Sequence, residues 1–254
     1  TLFFEQSALE AVVLTSGNLA EEPILIANAT ALEQLSPIAG GIVTYNRDIF
    51  NRTDDSVVRV MGGAERIFRR SRGYVPTPVR LTFDATGIFA AGAELSACFC
   101  MGKGNRAYLS QHIGDLKNEE TLAFYEETFE RFRRMFRIEP VLAVTDLHPD
   151  YLSTRFAAAL QLETLAVQHH HAHVAACMAE HGLEEPVIGL AFDGTGYGSD
   201  GHTWGSEFLI CEGDTYIRAA HLQYMAMPGG DLAAEEPWRM GISLLHLAYG
   251  RDWQ

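Results

Sequence analysis

From Ile88 to Phe192 the apolar residues change their spacing repeatedly, and this alternation limits the possible folds more than any other feature of the chain. Ile88 to Ala91, Ala97 to Met101 and Arg106 to Leu109 are short and read as strands, with a tight-turn sequence at Lys103-Gly104-Asn105 before the third. Asn118 is placed to cap a helix from Glu119 to about Arg137, on which Leu122, Tyr125, Phe129, Phe132 and Phe136 form one apolar stripe. Strands at Val141 to Val144, Leu165 to Val167 and Val187 to Phe192 then alternate with a helix from Tyr151 to Leu160 and a histidine-rich helix. A three-strand antiparallel start followed by alternating helices and strands predicts an α/β fold with a mixed sheet.

Upstream, Ala11 to Thr15 reads as a buried strand entering a turn at Ser16 to Leu19, and Ala29 to Leu35 has helical spacing. Ile42 to Tyr45, Val57 to Val60 and Ile67 to Arg70 read as further strands. Pro76 and Pro78 favour an extended connector, which places a boundary between a domain at 1–78 and another at 79–254. The start at Thr1 and the end at Gln254, directly after a helix-like pattern, read as a piece of a longer protein. With 47% hydrophobic and 20% charged residues the composition is that of a globular chain, and no apolar run approaches the roughly 18 residues of a membrane span. Cys98, Cys100, Cys177 and Cys211 form no CxxC pair, which suits reduced thiols in a cytoplasmic setting. A net charge of -14 argues against adhesion to nucleic acid.

The histidine-rich helix is VQHHHAHVAACMAEHG, residues 167–182. His169 and His173 are four apart and share a face, with Cβ atoms about 5–6 Å apart, which suits two imidazoles converging on one metal. The competing reading is a pair of surface or capping histidines. A metalloprotease would need a glutamate after the first histidine or before the second, and this chain has His170 and Ala172 there. His170 and His171 point elsewhere, toward a second layer or a substrate. In LAFDGTGYGSDG, residues 190–201, a strand ends in a carboxylate and a glycine-rich loop. Its amides can approach phosphate oxygens, and Asp193 or Asp200 can hold a cation; Asp193 could supply an oxygen ligand to the histidines' metal. The loop AGAEL, residues 91–95, has the strand, glycine, acid, strand order by which actin-like folds wrap nucleotide phosphates. DLHPDY at 146–151 and SQHIGD at 110–115 read as structural segments after strand ends.

These strings, with TSGNLAEEPI (15–24), NRTDDSVVR (51–59), RRSRGYVPTPV (69–79), DLHPDYLSTRFA (146–157) and EPWRM (236–240), resemble the HypF family of hydrogenase maturation carbamoyltransferases. The resemblance covers nearly the whole chain. It implies the end of a YrdC-like α/β domain followed by the first lobe of an ASKHA-type, actin-like and ribonuclease H-like domain. It implies use of carbamoyl phosphate and ATP, a carbamoyl-adenylate intermediate, and transfer to the C-terminal cysteine of the partner HypE, with no role for nucleic acid or membrane. The family's metal ligands fall on His169, His173 and Asp193, for zinc or iron, with magnesium also possible. Its phosphate loops fall on Gly92 and Glu94 and on Gly194, Thr195, Gly196 and Gly198. Its nucleotide motif falls on Ser16 and Asn18, and the arginines expected to meet phosphate are Arg52, Arg70 and Arg72. Three departures stand out: Ser96 and Ala97 replace a common Lys-Asn, Ala20 and Glu21 replace Ser-Gly, and the family's other domains fall outside these 254 residues. The nearest rival is a tRNA threonylcarbamoyl-transferase, and a rival of another class is a noncatalytic metal-binding or partner-docking module.

Overall fold

The computed structural model describes residues 5, 10–13, 15–20 and 22–251. They form two compact units, one of residues 1–145 and 150–165 and the other of 146–149 and 166–254.

The first unit holds α1 (Asn28–Leu35) and a hairpin of β1 (Val57–Met61) and β2 (Ala64–Arg69). That hairpin turns on Gly62 and Gly63, both at positive φ, which a two-residue primed turn requires. A second sheet is built from β3 (Val79–Arg80), β4 (Ile88–Ala90), β5 (Cys100–Lys103), β6 (Arg106–Leu109), β7 (Leu142–Asp146) and β8 (Glu163–Val167), in the order β3-β6-β5-β4-β7-β8. β4, β5 and β6 form an antiparallel meander, while β4 and β7 are parallel, so the mixed sheet expected from the sequence is present.

The long helix α2 (Glu119–Phe136) starts at Asn118, whose side chain accepts a hydrogen bond from the Thr121 amide at 2.8 Å. Its buried face is Thr121, Phe124, Tyr125, Thr128, Phe129 and Phe132. Leu122 and Phe136, expected on the stripe, are only half-buried. The face turns toward the threonines because Thr128 Oγ1 lies 3.5 Å from the buried Gln111 amide, and Tyr125 donates to the Ala91 carbonyl at 2.7 Å. Phe89 of β4, Phe99 just before β5 and Phe156 from α3 (Leu152–Ala159) meet Phe129 edge to face, with Phe89 at 4.8 Å between ring centroids.

Three strand expectations need correction. Ala11 to Val13 and Thr15 belong to no strand, and Leu14 lies outside the described residues. Ile42 to Tyr45 also belongs to none. In both places apolar spacing is present without a neighbouring strand among the described residues to complete a ladder: Val13 is 98% exposed and Val43 97%. β5 begins at Cys100 rather than Ala97, because Ser96 takes a positive φ of 48° and Ala97 makes an isolated bridge to Gly114.

In the second unit α4 (His169–His181) packs on a three-stranded antiparallel sheet of β9 (Val187–Ala191), β12 (Glu207–Glu212) and β13 (Thr215–His221), ordered β13-β12-β9. Val174 and Met178 of the helix meet Ala191, Leu209 and Cys211. Gly189 permits this approach: a Cβ there would lie 2.4 Å from Val174 Cγ2. β10 (Gly196–Tyr197) and β11 (Thr203–Trp204) form a small ladder, and α5 (Leu232–Glu235) and α6 (Trp238–Tyr249) follow. Among the described residues no helix is long and apolar enough to cross a membrane.

Candidate metal centre

The side chain of Gln168 caps α4 by accepting from the His171 amide at 2.9 Å, which places His169 at the first helical position and His173 one turn later. Their Nε2 atoms are 3.3 Å apart. Asp193, two residues beyond β9, brings Oδ2 to 2.6 Å from His169 Nε2 and 3.5 Å from His173 Nε2. One ligand atom from each of the three lies within 4.8 Å of the others. Two imidazoles on a tetrahedral ion with metal–nitrogen bonds near 2.0–2.1 Å hold their nitrogens about 3.4 Å apart, so the pair fits such an ion. Two imidazoles and one carboxylate suit zinc or iron better than a hard cation that prefers an all-oxygen shell.

Asp146, the last residue of β7, completes the cluster from behind. Its Oδ2 is 2.6 Å from His169 Nδ1, and its Oδ1 accepts from the His148 amide at 2.8 Å. Hydrogen bonds to Asp146 and then to Asp193 raise the His169 pKa to about 9, against the opposing effect of burial. The same contacts from His169 and His173 hold the Asp193 carboxyl far below the usual carboxylate range. Asp146 had no role in the sequence reading. Its only signal was its place at the carboxyl end of a strand, in a string read as structural.

The remaining residues of this unit hold the cluster in place. His170 is fully buried beneath Trp204, with Nδ1 3.1 Å from the Gln168 amide, and His171 packs against Tyr216. Burial lowers both imidazole pKa values, and both rings pack the helix within the unit. In the glycine-rich loop, Gly194 and Thr195 are exposed, whereas Gly196 and Gly198 are buried. A Cβ on Gly196 would lie 2.5 Å from His170 Cε1, and one on Gly198 would lie 2.1 Å from Trp204 Nε1, so these two glycines also serve packing. Asp200 accepts from Trp204 Nε1 at 2.8 Å and from the His202 amide at 3.1 Å, which leaves Asp193 as the loop carboxylate at the cluster. The buried Glu207 binds Arg218 through both oxygens, at 2.6 and 2.9 Å, and the guanidinium stacks on Trp204.

In the first unit Ser16, Asn18 and Arg52 line one cavity of about 390 Å³, together with Arg69, His112 and Lys117. The Asn18 amide donates to the Leu19 and Glu22 carbonyls, both at 2.8 Å, and so shapes the turn. Arg70 and Arg72 are not in that lining: Arg70 donates to the Tyr74 and Thr77 carbonyls of the connector, and Arg72 pairs with Asp55. The cavity instead receives Arg69, paired with Asp54 at 3.0 Å, which belongs to the same basic cluster but not to the arginines expected to meet phosphate. Gly92 has a φ of 75°, and a Cβ there would lie 2.2 Å from the Cys98 carbonyl oxygen. Glu94 Oε2 accepts from the Leu152 amide at 2.9 Å and so caps α3, while Ser153 donates to the Gly92 carbonyl at 3.1 Å.

Residues 84–180 match the family described as the HypF Kae1-like domain, and residues 189–254 match the carbamoyltransferase Kae1-like domain, second subdomain. Residues 2–71 match the Sua5/YciO/YrdC family, described as telomere recombination. Among curated relatives, Carbamoyltransferase HypF of Rhizobium leguminosarum bv. viciae is 44% identical over 94% of this chain and 31% of its own length. Carbamoyltransferase HypF2 of Cupriavidus necator is 43% identical over 94% of this chain and 30% of its own. The crystal structure of full-length HypF in the phosphate- and nucleotide-bound form superposes with a TM-score of 0.87 at 49% identity, covering 91% of this chain and 37% of that one. The chain thus spans about a third of the length of the curated relatives it matches. A YrdC-like segment followed by a Kae1-like, ASKHA-type α/β segment with a mixed sheet, matched in this order to full-length relatives, makes the chain a member of the HypF carbamoyltransferase family.

Proposed function

We propose that this chain supplies the metal-holding lobe and part of the nucleotide-binding region of a cytoplasmic carbamoyltransferase that uses carbamoyl phosphate and ATP. The observation that carries the reading is the convergence of His169, His173 and Asp193 within 4.8 Å on a family-matched lobe. In the proposed chemistry water first cleaves carbamoyl phosphate to carbamate and inorganic phosphate; a carbamate oxygen then attacks the α-phosphorus of ATP, the bond to the β-phosphate oxygen breaks, and carbamoyl-adenylate forms as pyrophosphate leaves. The thiolate of the C-terminal cysteine of HypE then attacks the carbamoyl carbon, the bond from that carbon to the adenylate oxygen breaks, and AMP departs. The nucleophile comes from the partner, and burial raises the pKa of Cys98, Cys100 and Cys211, that of Cys100 to about 12, which keeps these three thiols protonated.

A divalent zinc or iron ion, when bound, supplies a Lewis acid for the carbamoyl oxygen. His169 and His173 would hold it through Nε2 and Asp193 through a carboxylate oxygen. Asp193 also anchors the start of the exposed Gly194-Thr195 turn, whose amides are accessible to a phosphate. Ser16, Asn18 and Arg52 would face the nucleotide in the first unit, with Arg69 added to them and with magnesium as a possible companion of the phosphates. The test is carbamoyl-phosphate-dependent ATP–pyrophosphate exchange and carbamoyl transfer to HypE, measured in the full-length protein. Replacing both His169 and His173 by alanine is expected to abolish transfer; transfer at the unsubstituted rate would remove the role given to them.

A further inference from the structure

His169 and His173 are not equivalent. His173 projects from the second turn of α4 with a side chain that is 58% exposed, whereas His169 is held from behind by Asp146, whose side chain is only 5% exposed. Asp146 is itself fixed twice. Its backbone ends β7, and its free oxygen accepts from the His148 amide at 2.8 Å. The next residue, Leu147, donates its amide to the Val167 carbonyl at 3.0 Å, so the strand end bearing Asp146 is tied to the segment that leads into His169. The carboxylate therefore has one oxygen for the backbone and one for the ring.

We infer that Asp146 is a positioning residue for the metal centre, which rests on the metal-site reading above: it accepts the Nδ1 proton of His169 and thereby leaves Nε2 as the ligand atom. The carboxylate behind the ring orients it and makes Nε2 a better donor, as outer-shell carboxylates do at histidine-ligated metals. His169 is then the pre-set ligand. His173, more exposed, closes on the ion after His169 has engaged it. Asp146 touches neither metal nor substrate and acts only through the ring.

The experiment uses zinc as the probe, in competition with a chromophoric chelator, on the purified protein and on its Asp146→Ala, Asp146→Asn and His169→Ala/His173→Ala variants. Asp146→Ala is expected to weaken zinc binding roughly 10- to 100-fold. Asp146→Asn is expected to lose less, because its one amide oxygen can still accept from Nδ1–H, at the expense of the His148 amide and without the charge. Ring spectra of the zinc-loaded protein should show the His169 Nδ1–H proton shifted downfield and slowed in exchange by its hydrogen bond, and Asp146→Ala should lose both signatures, a change that a purely structural role would not produce. If Asp146→Ala fails to fold, Asp146→Asn decides the matter, since it keeps the size of the side chain and one acceptor oxygen. Zinc binding and the Nδ1–H signature unchanged in the folded Asp146 variants would overturn this inference alone. Zinc binding that is indifferent to loss of both histidines would overturn the metal site and this inference with it.

Discussion

His169 lies between two carboxylates, Asp146 at Nδ1 and Asp193 at Nε2, both at 2.6 Å. In the metal-free protein it is an imidazolium up to about pH 9, so a metal ion has to displace its Nε2 proton. Zinc affinity is therefore expected to climb as pH rises from 6.5 to about 9, followed by competition titration at stepped pH; a flat profile over that window would contradict the geometry. The linkage has the opposite sign for the empty protein. Because the folded pKa is raised, this ion pair stabilises the metal-free fold fully below 6.5, and the stabilisation is lost as pH rises through about 9. The Tm of chelator-treated protein should fall across that range and should fall less in Asp193→Asn, which lacks one of the two partners. Gly196 offers a steric test of the same cluster. A methyl group there would meet the His170 ring and come within 3.0 Å of His169 Cβ, so Gly196→Ala should weaken zinc binding while leaving the ligands themselves intact.

At the scale of elements, α2 shows sequence signals acting as read. Asn118 caps it, Glu119 and Glu120 occupy its first turn, and Arg137 closes it in the left-handed conformation. Asn118→Ala should cost about 1 kcal/mol in denaturant unfolding. Phe129→Ala should cost more, roughly 3–5 kcal/mol, because the ring lies at the centre of an edge-to-face cluster and leaves a cavity. Equal losses would show that the aromatic core is not packed as described. The same reading failed at Ala11 to Val13 and Ile42 to Tyr45, since apolar spacing records a preference for extension but not the presence of a partner strand. It also passed over the β12–β13 hairpin. Gly213, at a φ of 58°, was the available turn signal between Glu212 and Thr215.

At the scale of the molecule, the four side chains of the metal cluster all belong to the second unit. Zinc should therefore slow amide exchange in α4 and β9 while leaving α2 unchanged. The added protection should approach about 2.7 kcal/mol when zinc exceeds its dissociation constant roughly 100-fold. Protection spread evenly over both units would argue for a different site. The histidine pair and Asp193 were legible in the sequence because a helix turn and a strand end fix them locally. Asp146 was not legible, because its contact with His169 spans 23 residues and depends on where β7 ends relative to α4. Arg70 and Arg72, expected from the family resemblance to meet phosphate, bond the connector and Asp55 here, since a run of arginines does not by itself say which guanidinium turns into the cavity. The central claim, that two imidazoles and a carboxylate of this chain hold one divalent ion, is tested most directly by X-ray absorption at the zinc edge of the zinc-loaded protein. The account predicts two imidazole nitrogens with oxygen neighbours near 2.0–2.1 Å. A sulfur shell near 2.3 Å, or a spectrum without imidazole scattering, would contradict it.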